Sequence, residues 1–207
     1  KKMTTQGDCF ASMEVALGCV YIPELCFYTR ILVSFYLALN DSFRAFSFGG
    51  NGMNDAEYMR LALALAEQGR GWTAPNPMVG AVIVKDGAVI GQGWHERYGE
   101  PHAERNALAA CTADPAGATM YVTLEPCCHQ GKQPPCVDAI LASGIRRVVI
   151  GSADPNPLVA GKGVAILRSH GVEVTKNVLR QECDALNKIF FHYITTGRPF
   201  VSMKYAM

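Results

Sequence analysis

Neither sign of charge is in excess in this chain: nineteen Lys and Arg stand against eighteen Asp and Glu over 207 residues, and fifteen against fourteen from Met53 onward. A nucleic-acid binder carries a basic stripe, and none stands out here, so no nucleic-acid partner is expected. Long clean apolar runs are lacking too. The apolar, aromatic stretch from Ala16 to Leu39 is interrupted by Pro23, Glu24 and Arg30, so it falls short of the ~20 residues of a transmembrane helix. Lys1 and Lys2 are basic, but Asp8 and Glu14 precede the apolar part and no convincing small-residue cleavage site follows, so a secretion signal is not the expected reading. Eight cysteines are present, yet a chain of this size with 49 % apolar residues needs no disulfide framework. Three of them share one short segment with a histidine and prolines, a pattern that fits metal ligation. Cys111 and Cys183 lie in helix-like apolar patterns and read as inert core thiols. A reducing, cytoplasmic compartment is expected.

What is there divides unevenly. Residues 1–52 read as a translated upstream stretch or an extension added at cloning, ending in the linker Ser47-Phe48-Gly49-Gly50-Asn51-Gly52. Met53 then opens a domain expected to run to residue 197. Asn54 and Glu57 occupy capping-box positions before a helix ending near Gly69, and Pro75 and Pro77 force a loop after it. Val79–Val84 and Ala88–His95 read as a hairpin across Lys85-Asp86-Gly87. Beyond it, helices over His102–Cys111, Cys136–Ser143, Gly163–Ser169 and Leu179–Ile194 alternate with strands over Thr119–Leu124, Arg147–Gly151 and Val172–Val174. A hairpin followed by alternating helices and strands predicts an α/β fold, with a mixed central sheet covered by helices on both faces.

The chemistry sits in two short runs. Pro101-His102-Ala103-Glu104 is followed, 25 residues after the histidine, by Cys127, and Cys136 comes eight intervening residues later. One histidine and two cysteines make a three-ligand zinc site, leaving the fourth tetrahedral position for water, where a structural site would close it. A carboxylate two residues after the histidine suits proton transfer in hydrolysis, of which a deaminated base is the simplest product. Residues 102 and 104 point about 200° apart on a helix, so the pair is coherent only if the helix end faces the site, with His102 at the cap and Glu104 in the first turn. Cys136 also opens a helix, and Cys127 follows a strand. The ligands therefore gather where strand ends meet helix starts. On its own Glu104 would read as a helix-stabilising first-turn carboxylate. Cys128 and His129 compete with Cys127 as ligands on chemistry alone.

His102-x-Glu104 with Pro126-Cys127 and a second cysteine resembles the zinc-dependent cytidine and nucleotide deaminase superfamily. The departure from the common Pro-Cys-x-x-Cys spacing points further. Thr123-Leu124-Glu125-Pro126-Cys127, Gly131-Lys132-Gln133-Pro134-Pro135-Cys136, Pro75-Asn76-Pro77-Met78-Val79-Gly80 and Asp154-Pro155-Asn156-Pro157-Leu158-Val159-Ala160-Gly161 are similar to the deaminase half of the bifunctional riboflavin biosynthesis deaminase/reductase family. That resemblance covers Met53 to Gly197. It implies a three-layer α/β/α cytidine deaminase-like sandwich and one zinc per chain on His102, Cys127 and Cys136. Glu104 becomes the general acid/base, and Asn76, His95, Lys132, Asp154 and Asn156 surround a phosphoribosylaminopyrimidine. A homo-oligomer is implied as well.

Arg198 to Met207 is similar to the opening strand of the family's reductase domain, which uses NADPH, so the deaminase activity is expected of this chain and the reductase activity is not. Two rivals are weighed against this. A nucleoside or tRNA deaminase predicts the shorter cysteine spacing and, for tRNA, a basic face. A structural zinc module that binds a partner needs a fourth protein ligand, such as Cys128 or His129.

Overall fold

The structure is a computed structural model that describes residues 53–156 and 159–203. The extension expected over residues 1–52, Pro157 and Leu158 of the Asp154–Gly161 motif, and residues 204–207 lie outside the described residues.

The first helix, α1 (Asp55–Glu67), starts on the expected capping box: Asn54 Oδ1 accepts from the N–H groups of Ala56 and Glu57, and Glu57 Oε2 accepts from Asn54 N–H at 2.7 Å. A loop leads to the hairpin β1 (Gly80–Lys85) and β2 (Ala88–Trp94). The chain continues as α2 (Ala103–Ala109), β3 (Thr119–Leu124), α3 (Cys136–Ala142), β4 (Arg147–Ser152), α4 (Lys162–Ser169), β5 (Glu173–Lys176), α5 (Arg180–Leu186) and α6 (Lys188–Thr196). Strands lie in the order β2-β1-β3-β4-β5, with β1 antiparallel to β2 and β3, and with β3, β4 and β5 parallel. The sheet is mixed, as expected.

Alternation along the strands builds two cores. Ala81, Ile83, Met120, Val122, Val148 and Ile150 pack with Ala103 and Ala107 of α2, Val137 and Ile140 of α3, and Val164 and Leu167 of α4. On the opposite face Val82, Val84, Tyr121 and Val149 pack with Tyr58, Met59 and Ala62 of α1 and Cys183 of α5. Covered on both sides, the central strands read as continuous apolar runs, and the result is a three-layer α/β/α sandwich. The backbone of α1 rests directly on β1, since a Cβ at Gly80 would stand 2.0 Å from the Ala62 carbonyl oxygen. Among the described residues, no helix is long and apolar enough to cross a membrane.

One element differs from expectation. The single helix read over Leu179–Ile194 is two, broken at Asn187. Its apolar spacing runs on through the break, but the buried Asn187 side chain bonds both backbone groups of Met78, at 2.8 Å each, and this long-range pairing overrides local periodicity. Residues 198–203, read as the start of another strand, join no strand among the described residues. Phe200, Val201 and Met203 are exposed there.

The start of α1 is pinned to the sheet by Asp55. Its two carboxylate oxygens accept from Arg147 at 2.9 and 2.7 Å, and the Tyr121 hydroxyl donates to it at 2.9 Å. The Arg147 hydrogen bonds hold the Asp55 carboxyl below its ordinary value of 3.8. A depressed carboxyl stabilises the fold above its unfolded pKa and loses that contribution as pH falls through the folded value. Asp55→Asn is therefore expected to melt below the parent at pH 7, with the gap closing as pH drops below 3.8. Thermal melts across that range check it, and a pH-independent gap would refute it.

Candidate active site and metal centre

Three short segments meet at the carboxyl ends of β3 and β4. His102 is the N-cap of α2, with extended backbone at φ −73° and ψ 163°, and its ring makes no capping bond. Glu104 follows in the first turn and is only 3 % exposed. Cys127 lies three residues past the end of β3, and fully buried Cys136 opens α3. The placement required of His102 and Glu104 is the one observed.

Cys127 Sγ stands 3.5 Å and Cys136 Sγ 3.3 Å from His102 Nδ1. All three donor atoms lie within 4.8 Å of one another. Zinc bonded to nitrogen and sulfur at tetrahedral angles holds such atoms about 3.5 Å apart, so the trio fits a single zinc ion. Backbone bonds brace the trio: Cys136 N–H donates to Cys127 Sγ at 3.3 Å, and Val137 N–H to the Cys127 carbonyl at 3.2 Å. Arg105 reaches the carbonyls of Pro134 and Pro135 at 3.3 and 3.0 Å, holding the intervening loop against α2. Cys128 packs against the core and is not one of the trio.

The electrostatics favour proton traffic at Glu104. Burial, reinforced by the negative charge of Cys127, lifts its carboxyl above the ordinary range. Such a carboxyl can take up and release a proton nearer neutrality than an exposed one. Hydrogen bonding from Cys136 holds the Cys127 thiol far down, at about 4, making it the thiolate of the pair. The same cluster raises His102, chiefly through its bond to Cys127. Burial pushes His95 down, so its ring is neutral at pH 7. His95 Nδ1 sits 3.2 Å from the Pro101 carbonyl, which can only accept, so Nε2 is left to accept from Asn76 Nδ2 at 3.3 Å.

A cavity of about 240 Å³ opens in front of these groups. All five residues proposed around the substrate, Asn76, His95, Lys132, Asp154 and Asn156, line it, as do His102, Glu104 and Cys127. Cys136 lies behind the wall. Asp154 is pushed up to about 6 by burial and turns its Oδ1 to the Asn156 N–H at 2.8 Å. Lys132 Nζ sits 4.0 Å from the centre of the Tyr98 ring.

Several wall residues escaped the sequence reading. Glu125, buried beside Pro126-Cys127, accepts from Gly161 N–H at 3.1 Å and Val164 N–H at 3.3 Å, tying the start of α4 to the cavity. Its adjacency to the cysteine was a signal that could have been used. Tyr98 and Phe190 also line the wall, and Phe190, from the far end of the chain, had no local signal. His129, already weighed as an alternative ligand, lines it as well, with a buried Nδ1 that has no hydrogen-bond partner among the described residues.

A family model for the cytidine and deoxycytidylate deaminase zinc-binding region matches residues 53–152. The chain is 62 % identical over 155 residues to the riboflavin biosynthesis protein RibD of Actinobacillus pleuropneumoniae, covering 75 % of this chain and 41 % of that protein. A crystal structure of the diaminohydroxyphosphoribosylaminopyrimidine deaminase/5-amino-6-(5-phosphoribosylamino)uracil reductase of Thermotoga maritima is 50 % identical with a TM-score of 0.68, covering 70 % of this chain and 42 % of that one. The chain thus spans about two fifths of the length of these two relatives. The diaminohydroxyphosphoribosylamino-pyrimidine deaminase of Buchnera aphidicola subsp. Acyrthosiphon pisum, in contrast, is covered over 100 % of its length at 50 % identity, with 71 % of this chain aligned. With the mixed sheet, the His-Cys-Cys trio and the buried glutamate already in place, the chain belongs to the family of these deaminases, the deaminase domain of RibD, on a cytidine deaminase-like fold.

Proposed function

We propose that the chain catalyses hydrolytic deamination of 2,5-diamino-6-(5-phosphoribosylamino)pyrimidin-4(3H)-one to 5-amino-6-(5-phosphoribosylamino)uracil and ammonia, a step of riboflavin biosynthesis. The observation that carries this reading is the buried Glu104 two residues from His102, facing the same cavity as Cys127 and the Lys132 wall. His102, Cys127 and Cys136 are the proposed ligands of one zinc ion per chain. When bound, zinc supplies the Lewis acidity that makes water a nucleophile near neutral pH.

Glu104 then manages the protons. It accepts one from the attacking water as the new C–O bond forms at the amino-bearing carbon, and delivers it to the adjacent ring nitrogen. It next takes the remaining hydroxyl proton and passes it to the amino group, which leaves as ammonia while the carbonyl forms. Its raised pKa suits both directions of transfer. Asn76 and Asn156 are assigned to polar edges of the ring or ribose, with His95 orienting Asn76 and Asp154 orienting Asn156. Lys132 is assigned to the phosphate as a point charge.

Balanced charge supports a free nucleotide over tRNA as substrate. The structural zinc module lacks support, because the cluster among the described residues has three members. The NADPH-dependent reductase step is assigned to the part of the bifunctional relatives that this chain does not span. The family likeness supports a homo-oligomer.

Zinc-loaded protein is expected to release ammonia from the diaminopyrimidine phosphate, and Glu104→Gln to lose roughly 10²–10⁴-fold in kcat while still binding zinc. Ammonia release by the variant at the parent rate would overturn the assignment. In competition with a chelator, Cys136→Ala is expected to lose zinc affinity by orders of magnitude and Cys128→Ser to keep it. Lys132→Ala should raise KM for the phosphorylated substrate about tenfold or more and leave turnover of the dephosphorylated compound unchanged. Equal effects on both compounds would remove Lys132 from the phosphate.

A further inference from the structure

Asn187 stands at the joint between α5 and α6, yet its side chain reaches to a loop more than a hundred residues away. Its Oδ1 accepts from Met78 N–H and its Nδ2 donates to the Met78 carbonyl, each at 2.8 Å. This is the pairing one strand offers another, made by a single amide that is only 3 % exposed. Its own backbone is also engaged, its N–H with the Asp184 carbonyl at 3.2 Å and its carbonyl with Phe191 N–H at 2.9 Å.

The loop it clamps has little else to hold it. From Pro75 to Met78 two of the four residues are prolines with no N–H to donate. Asn76 N–H turns back to the Thr73 carbonyl at 2.8 Å, and Met78 N–H goes to Asn187. Two residues before Met78, Asn76 bonds His95 on the cavity wall, and immediately after it the Val79 carbonyl accepts His95 N–H at 2.9 Å. On the other side of the joint, Phe190 projects from the first turn of α6 to line the same cavity.

We propose that Asn187 is a positioning residue for the substrate pocket, setting the Asn76 loop and the Phe190 wall relative to each other through its clamp on Met78. The inference rests on the deaminase reading above and names a determinant of substrate binding outside the zinc cluster. It separates Asn187 from a merely structural residue by the kinetic constant it moves. Loss of folded protein lowers the active fraction and leaves KM alone, whereas loosening the pocket raises KM in the chains that remain folded.

The test is ammonia-release kinetics on zinc-loaded full-length chain. Asn187→Ala is expected to raise KM about tenfold, the scale of one hydrogen bond lost between Asn76 and the substrate, with kcat per zinc-loaded chain within about twofold of the parent. In an Asn76→Ala background the same substitution should add little further to KM, because the two act through one loop. An unchanged KM, or full additivity with Asn76→Ala, overturns the proposal. If Asn187→Ala does not fold, hydrogen exchange on the parent decides: a Met78 amide as slow as those of β1 supports the clamp, and one exchanging like an exposed loop sinks it. Failure of the deaminase reading is seen separately, as absence of turnover by the parent.

Discussion

Two hydrogen bonds from the start of α3 to Cys127, one to its sulfur and one to its carbonyl, are the constraint on which the cleft depends. They make the turn after β3 a fixed platform. Glu125 N–H extends the parallel pairing by reaching the Ser152 carbonyl at 2.9 Å, so the platform keeps the register of β3 on β4. The Glu125 carboxylate receives the N–H groups of Gly161, just before α4, and of Val164 in its first turn, and Gly163 lets that helix close in, since a Cβ there would lie 2.4 Å from the Pro126 carbonyl oxygen. Two helices and two strands are thus referenced to three consecutive residues. The proposed metal ligands inherit their precision from backbone contacts, which side-chain motion does not blur.

Burial and close hydrogen bonding supply the rest of the chemistry. In water Glu104 would be an ordinary carboxylate and Cys127 an ordinary thiol. Enclosed together they diverge: burial lifts the carboxyl, while hydrogen bonding from Cys136 and His102 holds the thiol down against burial, a divergence that suits the proton-transfer and metal-ligand roles proposed for them. The neutral His95 belongs to the same logic: a fixed tautomer, set by the Pro101 carbonyl, gives Asn76 one defined orientation.

Much of this was legible in the chain because it is local. Asn54 with Glu57 marks a helix start through bonds three residues apart, and His102 with Glu104 implies a cap facing the site by angular geometry alone. Alternation in Ala81–Val84 and the apolar runs of β3 and β4 carry the two-faced burial directly. What was missed is non-local. The break at Asn187 depends on Met78, 109 residues away, and no window of helical periodicity contains that partner. Phe190 joins the cavity only because α6 starts where it does. Glu125 was passed over for the opposite reason: it lay inside a motif whose cysteine and proline drew the attention.

The packing of Cys128 into the core has a consequence for assembly of the metal centre. Cys127, Cys128, His129 and Cys136 lie within ten consecutive positions, and an unfolded chain can wrap all four around one ion. Folding takes that set apart: Cys128 turns, half-buried, against the core, while His102 joins Cys127 and Cys136 from an earlier segment of the chain. An ion held by the proposed trio would therefore pass from a contiguous chelate to a discontinuous one, and its affinity for the unfolded set would subtract from the stability it confers on the native state. Such an ion supplied too early would compete with the fold; supplied after the sheet has closed, it would only complete it.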